Sequence, residues 1–300
     1  MTTNTTHSQR RKTDTVPEQS HQIGHQEAGV KLVDYLSATL GLSLRKAKGL
    51  LDDRAVFVNG KRVWMAKHIL KKGDSVDIEA GPTPAVRGGR TPSVLFENQN
   101  YLVVNKPSGI LSNGEESLET QMQSAYGASV RAVHRLDKDT SGALCFARGT
   151  RAFERAVDCF KEGRVLKVYQ AVVSGRPRTK KGTIAKPIEG QPAVTHWTVL
   201  AASDRAAHLQ IKIDTGRTHQ IRKHLSGIGH PVLGDRQYFT HRDSDPRVRA
   251  VPRQMLHAAV FQAPLGTNQQ RIRVEAPLPP DFRKLLHQFG LDVETRGIRG

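Results

Sequence analysis

The sequence predicts an α+β fold, on three observations. Val30 to Ala80 carries two stretches of helical period followed by short strands, enough for a small α/β unit with its own core. Gly81 to Pro92 holds three prolines and three glycines and no apolar period, which marks a linker. From Ser93 onward the chain is a succession of strand-like apolar runs with a few helices between them. The expected organisation is a disordered tail over 1–29, a small domain over 30–80, a linker over 81–92 and a main domain over 93–300.

In the small unit, Val33, Leu36 and Leu40 recur at helical spacing, and Gly41 ends the first helix. Ser43 caps a second, with Leu44, Ala47, Leu50 and Leu51 facing inward and Arg45, Lys46 and Lys48 facing out. Asn59-Gly60 between Ala55–Val58 and Lys61–Val63 is the signature of a tight hairpin, and a strand over Ser75–Glu79 closes the unit.

In the main domain, Leu102–Val104 is a strand running into the turn Asn105-Lys-Pro-Ser-Gly109. Ser117 caps a helix to Tyr126, Val130–Leu136 and Ala143–Ala147 are strands, and Thr150 caps a helix that stops at Gly163. Lys167, Tyr169 and Ala171 share one face of the strand Val165–Val173. Arg176–Lys181 is a basic turn, suited to phosphates or simply to water. Val194–Val199 and His208–Ile213 pair, and Thr218 caps a helix from which Arg222 emerges. Two further strands, Met255–Pro264 and Gln270–Ala276, precede a closing helix, Phe282–Phe289, capped by Asp281.

Composition narrows the function. A formal charge of +18 and a pI near 10.2 point to a polyanionic partner, nucleic acid before a membrane, since no wide apolar helix face accompanies the charge. A solvated basic surface is the plain alternative. No run of about 20 apolar residues exists to span a bilayer. The Thr-, Gln-, His- and Ser-rich start lacks the apolar segment of a secretory signal. Cys145 and Cys159 have no metal-ligand spacing and fit buried thiols in a reducing cytoplasm.

The densest polar stretch is Val133-His-Arg-Leu-Asp-Lys-Asp-Thr-Ser-Gly142. Asp137, a carboxylate at a strand end beside Arg135, is placed to attack an electrophile. It equally fits a polar turn that satisfies its own backbone. Tyr169 reads as a core tyrosine, or else as an aromatic platform or proton acceptor in a site. Arg222, two turns into a polar helix, suits a bidentate pair with a buried carboxylate. His219, His224 and His230 do not form a metal-binding pair, so no metal is expected. Leu136 breaks the order of a kinase catalytic loop, and no glycine-rich loop accompanies it.

Two resemblances go further. Ser43-Leu-Arg-Lys-Ala47, Val56-Phe-Val-Asn-Gly60 and Lys72-Gly-Asp74 are similar to the S4 RNA-binding module. Carried over, it makes Arg45, Lys46, Lys48, Lys61 and Arg62 candidate RNA contacts, against a solvated helix face. His134-Arg-Leu-Asp-Lys-Asp-Thr-Ser-Gly142 resembles the signature of the RluA family of pseudouridine synthases. Val104-Asn-Lys-Pro-Ser-Gly109, Lys167-Val-Tyr-Gln-Ala171, Thr215-Gly-Arg-Thr-His-Gln-Ile-Arg222 and Gly229-His-Pro-Val-Leu-Gly-Asp235 agree in order and spacing.

The resemblance implies a catalytic domain on a mixed, mainly antiparallel sheet flanked by helices and loops. It implies an isomerase that breaks the C1′–N1 bond of an RNA uridine and rejoins the base through C5, without a cofactor. Asp137 becomes the essential aspartate, as nucleophile or as base. Tyr169 becomes the residue that stacks on the base or accepts a sugar proton, Arg222 the carboxylate's partner, and Arg135 the cation that fills the gap left by a flipped base. Structured RNA is the expected partner, large-subunit ribosomal RNA first and transfer RNA second, with the protein acting as a monomer. The competing hypothesis is a non-catalytic ribosome-assembly protein that keeps the fold.

Overall fold

The computed structural model describes residues 19–52, 55–78, 92–239, 245–266 and 270–292. The chain divides into two compact units, Met1–Thr83 and Pro84–Gly300.

The first unit runs β1 (Gln19–Gln22), α1 (Leu32–Thr39), α2 (Leu44–Asp52), β2 (Val56–Val58), β3 (Lys61–Arg62) and β4 (Ser75–Ile78). Its strands form an antiparallel sheet in the order β1-β4-β2-β3. Leu32, Leu36, Ala47 and Leu51 from the helices bury against Val56, Val76 and Ile78 of the sheet. The β2–β3 hairpin turns on Asn59 and Gly60, both left-handed at φ 53° and 72°, which is why this pair of residue types stands there. Ser43 Oγ accepts the Lys46 N–H at 3.3 Å, closing the start of α2.

Two expectations for this unit are corrected. Residues 19–29 are part of the folded unit, not of a disordered tail. β1 pairs with β4, Ile23 is buried, and its N–H donates to the Asp74 carbonyl at 2.8 Å. This strand is polar on both faces and covers a sheet edge through its backbone, so an apolar count misses it. Leu44, expected inside, is exposed. The linker apart from Pro92 lies outside the described residues, as does the tail up to residue 18.

The second unit contains β5 (Val94–Glu97), β6 (Tyr101–Lys106), α3 (Leu118–Tyr126), β7 (Val130–Ala132), β8 (Ser141–Arg148), α4 (Thr150–Lys161) and β9 (Leu166–Ser174). β10 (Lys181–Ile184), β11 (Thr195–Ala202), β12 (Ala206–Ile213), α5 (Gln220–Gly227) and α6 (Pro246–Arg249) follow. β13 (Leu256–Ala263), β14 (Ile272–Glu275) and α7 (Pro280–Gln288) complete it. Among the described residues the sheet order is β10-β11-β12-β9-β13-β8-β6-β5, with β14 on β13 and β7 on β8. Every pairing is antiparallel except β13 with β8, so the class is α+β with a mixed, mainly antiparallel sheet.

Strand alternation buries both faces. Leu102, Val104, Leu144 and Phe146 face one cluster, covered by Leu118 and Met122 of α3 and by Ile221 and Leu225 of α5. Tyr101, Val103, Ala143 and Cys145 face the other, covered by Ala152, Ala156 and Cys159 of α4. Both cysteines are buried free thiols.

The parallel junction positions the site. It is short, His257 opposite Ser141 and Ala258 opposite Gly142, and it closes so tightly that a Cβ on Gly142 would lie 2.2 Å from the Ala258 carbonyl oxygen. Gly142 also has φ +114°, so only glycine fits. The next strand, β9, sets Tyr169 opposite Ala258. The start of β8 and the middle of β9 therefore meet across β13, at the centre of the sheet.

Several predicted boundaries move. The strand expected over Val130–Leu136 ends at Ala132, because His134 turns its side chain back and Nε2 accepts the Cys145 N–H at 3.2 Å. α4 is N-capped by Gly149 at φ 83° in place of Thr150, and α5 by His219 in place of Thr218. α7 begins after Pro279, and Asp281 spends its carboxylate on Arg253 at 2.6 and 3.0 Å. The basic turn Arg176–Lys181 runs straight into β10, with Arg176, Arg178 and Lys180 exposed.

Candidate active site

The loop from Leu136 to Ser141 has little regular structure, so its shape depends on side chains sent in from elsewhere. Lys106, at the end of β6, is fully buried, and its Nζ donates to the carbonyls of Pro107, Lys138 and Thr140 at 3.0, 2.8 and 2.8 Å. Burial pulls its pKa down to about 7, against the charges of Asp139 and Asp137. Ser112 Oγ donates to the Leu136 carbonyl at 2.8 Å and accepts its N–H at 2.9 Å. Gln254 Nε2 donates to Thr140 Oγ1 at 2.6 Å.

Ser141 bonds to His257 Nδ1 at 2.9 Å. Nε2 of that ring lies 3.1 Å from the Ala276 carbonyl, which can only accept, so Nδ1 is the acceptor for the Ser141 hydroxyl. Burial lowers the His257 pKa to about 4, which keeps this arrangement neutral. Thr140 and Ser141 thus shape the loop.

The loop delivers Asp137 to Arg222. Arg222 Nη1 donates to Asp137 Oδ2 at 3.0 Å, and the same guanidinium donates from Nε and Nη2 to the two oxygens of Asp235 at 2.7 and 2.9 Å. Asp235 is fully buried, Arg222 is 8% exposed and Asp137 22% exposed. Burial disfavours the Arg222 charge, but the two carboxylates more than reverse this and push its pKa above the ordinary arginine value. A fork held at its far side by Asp235 therefore presents one N–H to Asp137. Asp137 Oδ1 has no such partner and faces His219 Nε2 at 3.8 Å.

Tyr169 is buried on β9 and lines the same cleft as Asp137 and Arg222. Burial, aided by the Asp137 charge, raises its pKa above the usual phenol value, so it stands as a neutral ring. The cleft is open to solvent. Arg135 lies exposed at its rim, and Ile213 and Leu256 supply apolar wall. An open cleft with one anchored carboxylate, an aromatic ring and an exposed cation at its rim offers a planar polar ligand a face to stack on and charges to meet.

The structure thus brings together Asp137, Tyr169, Arg222 and Arg135. The remaining predicted residues belong to the first unit. Lys46 and Lys48 on α2 and Lys61 on β3 are exposed. Arg62 is not presented to solvent. It is buried with its guanidinium 4.3 Å from the Phe57 ring centroid, the cross-strand neighbour that β2–β3 pairing imposes. The side chain of Arg45 lies outside the described residues. His134 stacks on Phe261 at 5.4 Å and 2°, and burial holds its pKa down to about 3.

Four residues given no role in the site by the sequence reading stand in or against it: Lys106 and Asp235 as described, His219 in the cleft lining, and Tyr238, whose hydroxyl lies 2.9 Å from His219 Nδ1. Asp235 carried a signal, since it closes the quoted Gly229–Asp235 motif and a guanidinium needs compensation when buried. Among the described residues no group of three or more His, Cys, Asp or Glu is placed to hold a metal ion.

Comparison with known proteins gives one answer. A family model described as RNA pseudouridylate synthase matches residues 100–227. The uncharacterized RNA pseudouridine synthase YhcT of Bacillus subtilis is 35% identical over 85% of this chain and 93% of its own. The ribosomal large subunit pseudouridine synthase D of Yersinia pestis is 30% identical over 82% of this chain and 86% of its own. Among solved structures, human RNA pseudouridylate synthase domain containing 1 is 31% identical, with a TM-score of 0.56 over 67% of this chain and 90% of that one.

Proposed function

The chain belongs to the RluA family of RNA pseudouridine synthases, and from that premise we propose that Asp137 drives the isomerisation of uridine in large-subunit ribosomal RNA. The observation that carries this reading is the Asp137–Arg222–Asp235 array at an open cleft beside Tyr169. Arg222 fixes one oxygen of Asp137 and leaves Oδ1 for the sugar, as nucleophile at C1′ or as the base that starts glycosidic cleavage. A base inside a helix cannot reach Oδ1, so the nucleotide flips into the cleft, where Tyr169 stacks on the uracil. Arg135 at the rim occupies the space the base leaves and limits the cost of unstacking.

The choice of RNA is supported by the relatives whose names specify the ribosomal large subunit, and by a charge of +18 that favours a large polyanion. In the S4-like first unit, Lys46, Lys48 and Lys61 contact phosphates. The protein acts in the cytoplasm as a monomer.

The test incubates purified protein with unmodified large-subunit ribosomal RNA and, separately, with transfer RNA. Carbodiimide-dependent stops of reverse transcription then report pseudouridine. Stops at discrete uridines of the ribosomal RNA alone are expected. Stops confined to transfer RNA would overturn the substrate assignment.

A further inference from the structure

Isomerisation moves two protons. When C1′–N1 breaks, the bonding electron pair stays on the uracil ring. When C5 joins C1′, that carbon carries its old hydrogen and its new bond together. The hydrogen must leave as a proton, its electron pair restoring the C5–C6 double bond, and N1 must take a proton up. The exchange is neutral and needs no oxidant or reductant, but it needs an acceptor near C5.

The groups around the cleft narrow the choice. Tyr169 is a neutral phenol held protonated by its burial. Asp137 is occupied at Oδ2 by Arg222, and its Oδ1 is committed to the sugar in the reading above, on which this inference rests. His219 Nε2 lies 3.8 Å from that Oδ1, too far for a hydrogen bond, and His219 lines the cleft. For attack, C1′ must come to roughly 3 Å from Oδ1, and C5 is one bond from C1′ in the product, which brings the C5 hydrogen within a few ångströms of the carboxylate oxygen that Nε2 faces.

The ring is held for that position. His219 Nδ1 is 2.9 Å from the Tyr238 hydroxyl, and the Tyr238 ring meets it edge-on at 5.7 Å and 71°. The Arg222 guanidinium lies 5.0 Å from the Tyr238 ring centroid, which ties the pair to the Asp137 anchor. His219 adopts a left-handed backbone, φ 55° and ψ 28°, at the N-cap of α5, yet makes no side-chain cap bond. A strained position that does not cap its helix has turned its side chain to another use.

We propose that His219 accepts the C5 proton at Nε2 while Tyr238 accepts a hydrogen bond from Nδ1–H and fixes the ring. Around the imidazole, burial and the charges of Arg222 and Lys223 disfavour protonation, while Asp137 and Asp235 favour it. The net direction is downward, which leaves the ring neutral and able to accept.

The test uses the full chain and a large-subunit ribosomal RNA fragment that the wild-type protein modifies, made with uridine, 5-deuterouridine or 5-fluorouridine. In the last, fluorine replaces the hydrogen, so C5 can join C1′ with no proton to remove. His219→Asn is the first variant, because asparagine tolerates the left-handed backbone. It should convert uridine about 100-fold more slowly, slow further with 5-deuterouridine, and still rearrange 5-fluorouridine RNA within a few-fold of wild type.

His219→Gly, which also suits that backbone, should regain uridine conversion when imidazole is added. Full-rate uridine conversion by both variants would overturn the proposal. So would a loss shared equally by uridine and 5-fluorouridine, or a slowed reaction indifferent to deuterium. Asp137→Asn should be inert on all three RNAs. Turnover by that variant would instead break the reading of Asp137, whatever His219 does.

Discussion

Arg222 serves two carboxylates with one guanidinium, and its two pairs have different tasks. The pair with Asp235 is buried and bidentate, and the pair with Asp137 is single and borders the cleft. Arg222→Lys keeps the charge but loses the fork, so one contact must lapse. Its expected effect is a fall in kcat of at least about 10-fold, with RNA affinity little changed, measured under single-turnover and binding conditions. Asp235→Asn leaves Arg222 buried with half its compensation and should cost about 3 kcal/mol of stability in urea denaturation. An unchanged midpoint would show that Asp235 does not anchor the guanidinium. At this scale the meeting of Asp137, Tyr169 and Arg222 in one cleft was legible because each sits in a contiguous motif. His219 sits in the motif of Arg222, and Lys106 and Asp235 in two other quoted segments, but all three act through contacts between distant parts of the chain, which spacing does not reveal. Arg62 misled because a two-residue strand does not disclose which face it turns to Phe57.

The element that aims the site is the junction of β8 with β13. Its two strands run parallel for only two residue pairs, and Gly142 lies against the Ala258 backbone with no room for a side chain. Gly142→Ala must push β8 off β13 or distort a φ of +114°, and more than about 3 kcal/mol of destabilisation is expected in urea denaturation. A loss below 1 kcal/mol, by the same measurement, would mean that the junction relaxes and does not fix the loop. Most strands and helices around it were readable from apolar period and capping residues, whereas the short β5, β10 and α6 were not. Their order in the sheet was not, since pairing of β8 with β13 joins residues 116 apart in sequence, as the Ser141–His257 bond records. β1 escaped notice for the opposite reason, being a polar strand whose gain lies in backbone pairing. The start of α5 shifted by one residue because a left-handed histidine, and not the obvious threonine, occupies the cap.

For the molecule as a whole, charge and proton uptake govern behaviour. His208 and His257 are buried, and burial lowers both from the ordinary 6.5 to about 4. Below pH 6.5 the unfolded chain takes up protons that the folded chain refuses until about pH 4. The unfolded state is thus favoured as pH falls through that window, by about 1.4 kcal/mol per unit for each ring. Their contribution is fully present above pH 6.5, so urea midpoints should fall steeply from pH 6 to 4.5. A flat profile there would deny the burial. RNA affinity should weaken steeply with salt, and replacing Lys46, Lys48 and Lys61 together by glutamine should make the slope shallower by about 2 in log–log terms. The net charge was legible from composition, whereas the placing of those lysines on an RNA-facing surface rests on the S4-like pattern. The most direct test compares wild type with Asp137→Asn on unmodified large-subunit ribosomal RNA, scoring RNA binding and carbodiimide-dependent stops together. Binding within a few-fold of wild type with no stops is the expected result, and stops formed by the variant at the wild-type rate would contradict the central claim.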